Sequence, residues 1–201
     1  EAESASRAEA AASSAAASLT ILSAGGSQGA SRLNEAVVQL LAYEQKKGNI
    51  NHIHGYGKHG RDTFMQSLAD NGVDAGNPHF IIKEYIDNMY TCMCASDLII
   101  TRAGAMTLTE ITAIGRASVL IPYPYAAENH QYYNALTLQN ANAGRIIDDK
   151  ELTGSVLIDT VNRLADDPEL LRLMSENAAK LSKRDAAGKI LREITELMGI
   201  K

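Results

Sequence analysis

The sequence is poor in cysteine, carries no excess of positive charge and contains no long apolar run. Only Cys92 and Cys94 occur in 201 residues, and their one-residue spacing on a predicted helix points them in different directions, which fits neither a zinc pair nor a redox pair. They are expected to be small buried apolar residues. Nothing demands a disulfide-forming compartment, so a reducing cytoplasm is the expectation. Lysine and arginine number 19 against 24 aspartates and glutamates, a formal charge of −5, so no overall positive field attracts nucleic acid or an anionic membrane. Local phosphate sites stay open, because backbone amides bind anions without any net charge. No apolar stretch approaches the roughly 20 residues needed to span a bilayer; membrane attachment, if any, must come from elsewhere.

Large side chains are missing from residues 1–18, which hold nine alanines, five serines, three glutamates and one arginine. This segment is expected to be an Ala/Ser-rich extension or linker, disordered and outside the fold. It begins Glu1-Ala2-Glu3, unlike the positive start of a secretory signal. Without an initiating methionine, the chain is expected to be a fragment or a processed product. The rest, at 45% hydrophobic overall, is long enough to bury one substantial core.

From Leu19 onward, short apolar runs alternate with helical stretches. Strands are predicted at Leu19–Ser23, Asn51–Gly55, His79–Lys83, Asp97–Thr101, Ser118–Ile121 and Gly144–Ile147. Helical periodicity fills Arg32–Lys46, Arg61–Asn71, Asn88–Ala95, Thr107–Ile114 and Gln131–Ala141, and helices alone follow the last strand: Ser155–Ala165, Glu169–Ser182 with Pro168 opening it, and Asp185–Met198. Strands linked by crossover helices describe an α/β fold with a Rossmann-like, doubly wound parallel sheet, which binds ligands beyond the carboxyl ends of its strands.

Three of those ends carry unusual residues. The first strand runs into Gly25-Gly26-Ser27-Gln28-Gly29-Ala30 and then a helix, a context suited to phosphate. It is not a P-loop, because Ala30-Ser31 stand where the lysine and hydroxyl residue belong. Nor is it the dinucleotide fingerprint, since that register gives Gly25, Ser27 and Ala30, and the second strand ends His54-Gly55-Tyr56-Gly57 without a ribose-binding acid. A plain tight turn is the competing reading. The fourth strand ends in Arg102-Ala103-Gly104-Ala105-Met106-Thr107-Leu108-Thr109-Glu110. Amides near Ala105 to Thr107 suit an anion, and Glu110, expected near the end of the helix's first turn, suits a ribose diol or serves only as an acid near a helix start. After the fifth strand, Pro122 and Pro124 force an extended exit. Asn129, His130, Gln131 and Asn134 follow; the last two are three apart and share a face. Such amides suit sugar hydroxyls, or ordinary helix capping. His52, His54, His59 and His79 have no acid or cysteine at a ligand-like spacing, so no metal site is expected.

Together the runs GGSQGA at Gly25–Ala30, RAGAMTLTE at Arg102–Glu110 and HQYYNA at His130–Ala135 resemble, in order and spacing, the second domain of the MurG family, the bacterial N-acetylglucosaminyl transferases of peptidoglycan synthesis. The resemblance covers about residues 19–201. It implies one half of a two-domain GT-B glycosyltransferase, in which this half binds UDP-N-acetylglucosamine and the other half binds the lipid-linked muramyl-pentapeptide acceptor. It further implies that Ser27 and Gln28 lie against the diphosphate and sugar, that Ile86 meets uracil through its backbone, and that Met106 and Thr107 offer amides to the phosphates. Glu110 is then expected to hold the ribose, with Gln131 and Asn134 contacting the sugar hydroxyls. The reaction so implied is an inverting displacement without metal or other cofactor, at the cytoplasmic face of the plasma membrane by a peripheral protein. The family's acceptor loop and general base belong to its first domain, so this chain alone is expected to be inactive. Three readings stay open: a truncated transferase, a separate donor subunit with a partner subunit, or a non-catalytic nucleotide-sugar-binding module.

Overall fold

A computed structural model describes residues 19–183 and 185–199; the expected extension, residues 1–18, lies outside the described residues. Six strands, β1 (Leu19–Ala24), β2 (Ile50–Gly55), β3 (Phe80–Lys83), β4 (Leu98–Thr101), β5 (Ala117–Leu120) and β6 (Gly144–Ile146), form one sheet in the order β3-β2-β1-β4-β5-β6. Every pairing is parallel. Strands β4 and β5 are buried at all four positions, as continuous apolar runs require when helices cover both faces. The crossovers are α1 (Ser31–Lys47), α2 (Phe64–Asp70), α3 (Met89–Ala95), α4 (Ala105–Ile114) and α5 (His130–Asn140); α6 (Gly154–Ala165), α7 (Pro168–Lys180) and α8 (Ala186–Leu197) follow β6. This is the Rossmann-like, doubly wound α/β fold that the pattern of runs predicts.

The two-residue period of the strands divides the core. Ile21, Ile100 and Val119 join Leu33, Val37 and Leu41 of α1 and Leu157 and Val161 of α6 on one face. Leu22, Ile99 and Leu120 join Met93 of α3, Ile111 of α4 and Leu138 of α5 on the other. Each such side chain contributes about 1.5–3 kcal/mol by leaving water. Strand order reverses between β1 and β4, and the exits of those strands therefore frame the crevice of the fold.

Beneath that crevice the first core holds polar groups. Ser23 Oγ lies 2.7 Å from both His52 Nε2 and His54 Nδ1, and His52 Nδ1 donates to Glu44 Oε2 at 2.7 Å, all four side chains being buried. Glu44 comes from α1, eight residues before His52, a pairing that spacing alone does not reveal. The His54 ring stacks on Phe64 with centroids 4.7 Å apart. Burial, with His52 beside it, pushes the His54 imidazole down to about 3, against the raising effect of its hydrogen bond to Ser23.

Three expectations need correction. Cys92 and Cys94 are only half-buried, and Cys92 Sγ donates to Asn88 Oδ1 at 3.6 Å; α3 is short and covers the sheet with Met93 instead. Helix α2 begins at Phe64, not Arg61, because the chain first runs through a 3₁₀ turn at Lys58–Gly60 and further turns, with Arg61 N donating to Lys58 O and Thr63 N to Gly60 O. Helix α4 begins at Ala105, not Thr107, since Gly104 takes an extended conformation (φ −66°, ψ 142°) and serves as its N-cap. The last helix, α8, buries no residue and leaves Ile190, Leu191, Ile194, Leu197 and Met198 exposed. No described helix is long and apolar enough to cross a membrane.

Candidate functional site: the strand exits at the β1/β4 crevice

The β1 exit turns tightly, with Gly29 N donating to Gly26 O at 2.9 Å, and exposes Ser27 and Gln28. The carbonyls of those two residues point away from their own helix: Lys58 N donates to Ser27 O (3.1 Å) and His59 N to Gln28 O (2.8 Å). The same contact explains two glycines. Gly29 (φ +84°) approaches the β2 exit so closely that an added Cβ would lie 2.3 Å from Tyr56 O, and a Cβ on Gly57 (φ +70°) would lie 2.2 Å from Gly29 N. Asn34, buried on α1, donates from Nδ2 to Tyr56 O at 2.9 Å and fastens the segment from a third side.

The β4 exit opens directly onto α4. The starts of α1 and α4 have no acid in the first turn and no side-chain cap, so their leading amides are free to meet an anion. With α4 starting at Ala105, Glu110 falls in the second turn, not the first; the reading of it as an acid placed for the helix start loses its ground. Thr107 and Glu110 are three apart and share a face. They line one cavity of about 70 Å³ together with Gly26 of the β1 exit and Met89 of α3. Met106, by contrast, sends its side chain into solvent at 75% exposure, which leaves only its backbone to contribute.

Ile86 follows β3 and is 4% exposed; its side chain fills the space over Gly55 and joins the second core. A base meeting this residue would meet main chain, as the resemblance implies. Gln131 and Asn134 sit on α5 and each uses one end of its amide on the scaffold: Gln131 Oε1 accepts from Tyr123 N at 3.0 Å, and Asn134 Nδ2 donates to Ala103 O at 3.2 Å. Just before α5, Glu128 (φ 51°) and Asn129 (φ 55°) both adopt left-handed backbone, a strained arrangement for two consecutive non-glycine residues.

Gly26, Thr107 and Glu110 therefore come together, Ser27 and Gln28 stand on the adjoining turn, and Asn134 joins α5 to the β4 exit. Gln131 lies further along the β5 exit. The sequence reading missed Arg102. Its Nη1 pairs with Asp149 Oδ1 at 2.6 Å and lies 3.2 Å and 3.3 Å from the carbonyls of Ile121 and Pro122, while the guanidinium sits 5.7 Å from the Tyr123 ring centroid. It ties the β4 and β5 exits to the turn after β6; the only signal was an arginine within the RAGAMTLTE run. Larger depressions exist, such as one of about 380 Å³ on the β6 edge lined by Arg145, Thr160 and Arg163, but it gathers none of these groups.

The family profile of the glycosyltransferase family 28 C-terminal domain matches residues 20–190. Among curated relatives, the UDP-N-acetylglucosamine--N-acetylmuramyl-(pentapeptide) pyrophosphoryl-undecaprenol N-acetylglucosamine transferase of Desulforamulus reducens is 38% identical over 181 residues, covering 90% of this chain and 49% of the relative. The enzyme of the same name from Thermoanaerobacter sp. is 41% identical over 177 residues, covering 88% and 48%. The chain thus spans about half the length of the curated relatives it matches. The crystal structure of Acinetobacter baumannii MurG superposes with a TM-score of 0.76 at 31% identity, covering 89% of this chain and 50% of that one. A co-structure of S. aureus MnaA with UDP superposes with a TM-score of 0.71 at 11% identity, covering 93% and 48%; that likeness shows the fold alone.

Proposed function

Because the chain belongs to the family of the glycosyltransferase family 28 C-terminal domain, we propose that residues 19–201 are the donor half of a GT-B transferase that moves N-acetylglucosamine from UDP to a lipid-linked muramyl-pentapeptide in peptidoglycan synthesis. The observation that carries this reading is the convergence of Gly26, Thr107 and Glu110 on one cavity at the point where strand order reverses.

In this reading the diphosphate rests against the turn of Ser27 and Gln28 and the amides of Met106 and Thr107. The free starts of α1 and α4 stabilise the negative charge that grows on the leaving UDP, because dipoles fixed in advance need no reorganisation during reaction. Glu110 accepts both ribose hydroxyls, Ile86 meets uracil through its main chain, and Gln131 and Asn134 offer their remaining amide ends to the sugar. Holding the donor this way also orients its anomeric carbon for in-line attack by the acceptor hydroxyl.

The cavity of about 70 Å³ is well below the roughly 300–1,000 Å³ of enclosed ligand sites, so the donor lies along an open edge that needs an opposing wall. That wall, the acceptor site and the general base belong to a second half, which also carries the peripheral attachment to the cytoplasmic face of the membrane. The coverage of half of each relative supports this division, whether the second half is on the same polypeptide or on a partner subunit.

Titration calorimetry with UDP-N-acetylglucosamine, UDP-glucose and GDP-mannose tests the reading. Binding of the UDP sugars with little or none of the GDP sugar is expected, and transfer by this chain alone is expected to be undetectable. Equal affinity for UDP and GDP sinks the base assignment. Robust transfer without a second half sinks the division of labour.

A further inference from the structure

Between the turn assigned to the diphosphate and the loop assigned to the base lies a segment that touches both. On one side Lys58 N and His59 N donate to Ser27 O and Gln28 O, and Gly57 packs against the backbone of Gly29. On the other side Tyr56 N donates to Lys83 O at 3.0 Å and Gly57 N to Glu84 O at 2.9 Å. Arg61 closes the far end with two parallel bonds to the Glu84 carboxylate, Nε to Oε2 at 2.8 Å and Nη2 to Oε1 at 2.6 Å. Glu84 is two residues before Ile86, whose side chain is anchored in the core. Residues 56–61 therefore form a strut that sets the separation of the two loops before any ligand arrives.

The Arg61–Glu84 pair is an odd choice if stability is its purpose. Its side chains are 59% and 32% exposed, and pairs so exposed to water add little to folding. What a two-pronged guanidinium–carboxylate contact does supply is a fixed angle and distance. The contact is strong enough to hold the Glu84 carboxyl below its ordinary range, chiefly through the hydrogen bonds from Arg61.

We propose that Arg61 and Glu84 are positioning residues for the nucleotide, holding the base loop at the distance from the phosphate turn that a nucleoside diphosphate spans. This rests on the donor reading above. A ligand that bridges both loops gains from their preset separation, whereas a ligand that touches one loop does not, since linkage turns the second contact into an intramolecular event.

The test uses the whole chain and three probes: UDP, uridine and inorganic diphosphate, each titrated by NMR into the parent, Arg61→Ala and Glu84→Gln, and with thermal midpoints recorded for all three proteins. UDP affinity should fall about fivefold to tenfold in both variants, while uridine and diphosphate affinities stay within about twofold and the midpoints barely move. The double variant should be no worse than either single one, because both remove the same contact. If the parent binds UDP and the variants match it within about twofold, the positioning role is overturned. A parallel fall in uridine affinity overturns it too, assigning the pair to the base loop alone. No binding of UDP by the parent overturns the donor reading itself, and this inference with it.

Discussion

The two halves of the sheet, β3-β2-β1 and β4-β5-β6, build their shared edge by different means. In the first half the edge is backbone against backbone: Gly29 against Tyr56 and Gly57, with the amides of Lys58 and His59 satisfying the carbonyls of Ser27 and Gln28. In the second half it is side chains on two helices, Thr107 and Glu110 of α4 and Gln131 and Asn134 of α5, the last two bonded to Tyr123 N and Ala103 O. Backbone packing leaves no room to change a residue without moving the chain, whereas side chains on a helix can be changed one at a time. Backbone substitutions at the Gly29–Gly57 interlock should therefore act on folding, whereas exchanging Glu110 of the second half should act on ligand affinity.

The largest effect should come from the closest backbone approach. Gly57→Ala places a Cβ 2.2 Å from Gly29 N on a residue with φ +70°, and should cost about 3 kcal/mol or more in a denaturant titration, from backbone strain plus the clash. A cost below about 1 kcal/mol would mean the interlock is looser than drawn.

Next comes acid sensitivity, again in the first half. His54 has a folded-state value near 3 against an ordinary 6.5, so below about pH 6.5 the unfolded chain takes a proton that the folded chain refuses, and stability falls towards pH 3. This one group contributes up to about 1.4 kcal/mol per pH unit across that window. Urea titrations at several pH values should show a shallower slope for His54→Asn than for the parent. An unchanged slope would show that carboxylates alone set the acid limb.

The smallest effect belongs to the second half. Glu128 is left-handed with φ 51°, and Glu128→Gly relieves strain of about 1–2 kcal/mol while adding about 0.4–1 kcal/mol of unfolded-state entropy. A net gain of about 0.5 kcal/mol is expected from the urea midpoint. A net loss would show that the loop before α5 is not strained, and that the second half is as rigidly packed as the first.

The same contrast explains what was legible in the sequence. Apolar period located every strand to within two residues, because burial on both faces leaves few choices at positions such as Leu98 to Thr101. The glycine-rich run, the RAGAMTLTE segment and the pair Gln131 and Asn134 could be read as a candidate site because their chemistry is carried by residue type. The strut of residues 56–61 could not. Its bonds run from amides of one loop to carbonyls of two others, and main-chain partners leave no mark on residue identity except at Gly29 and Gly57. Glu44 beside His52 and Arg102 beside Asp149 were hidden for a related reason, since each pair joins separate elements of the fold. The helix α8 shows the converse: helical periodicity over Asp185–Met198 predicted it, yet no described element covers its Ile190, Ile194 and Leu197. Pattern specifies the helix, while burial depends on what else is present.

The central claim is that the side chains of the second half hold a nucleotide sugar, and Glu110 tests it most directly. It is exposed and lies in the second turn of α4, so Glu110→Gln should change stability by less than about 0.5 kcal/mol. Two charge-assisted bonds to a ribose, each worth about 1.5–3 kcal/mol, weaken when the charge is removed. Calorimetric titration with UDP should therefore show affinity about tenfold or more below the parent, one factor of ten being about 1.4 kcal/mol. A folded Glu110→Gln chain that binds UDP as tightly as its parent would contradict the account and remove Glu110 from the site.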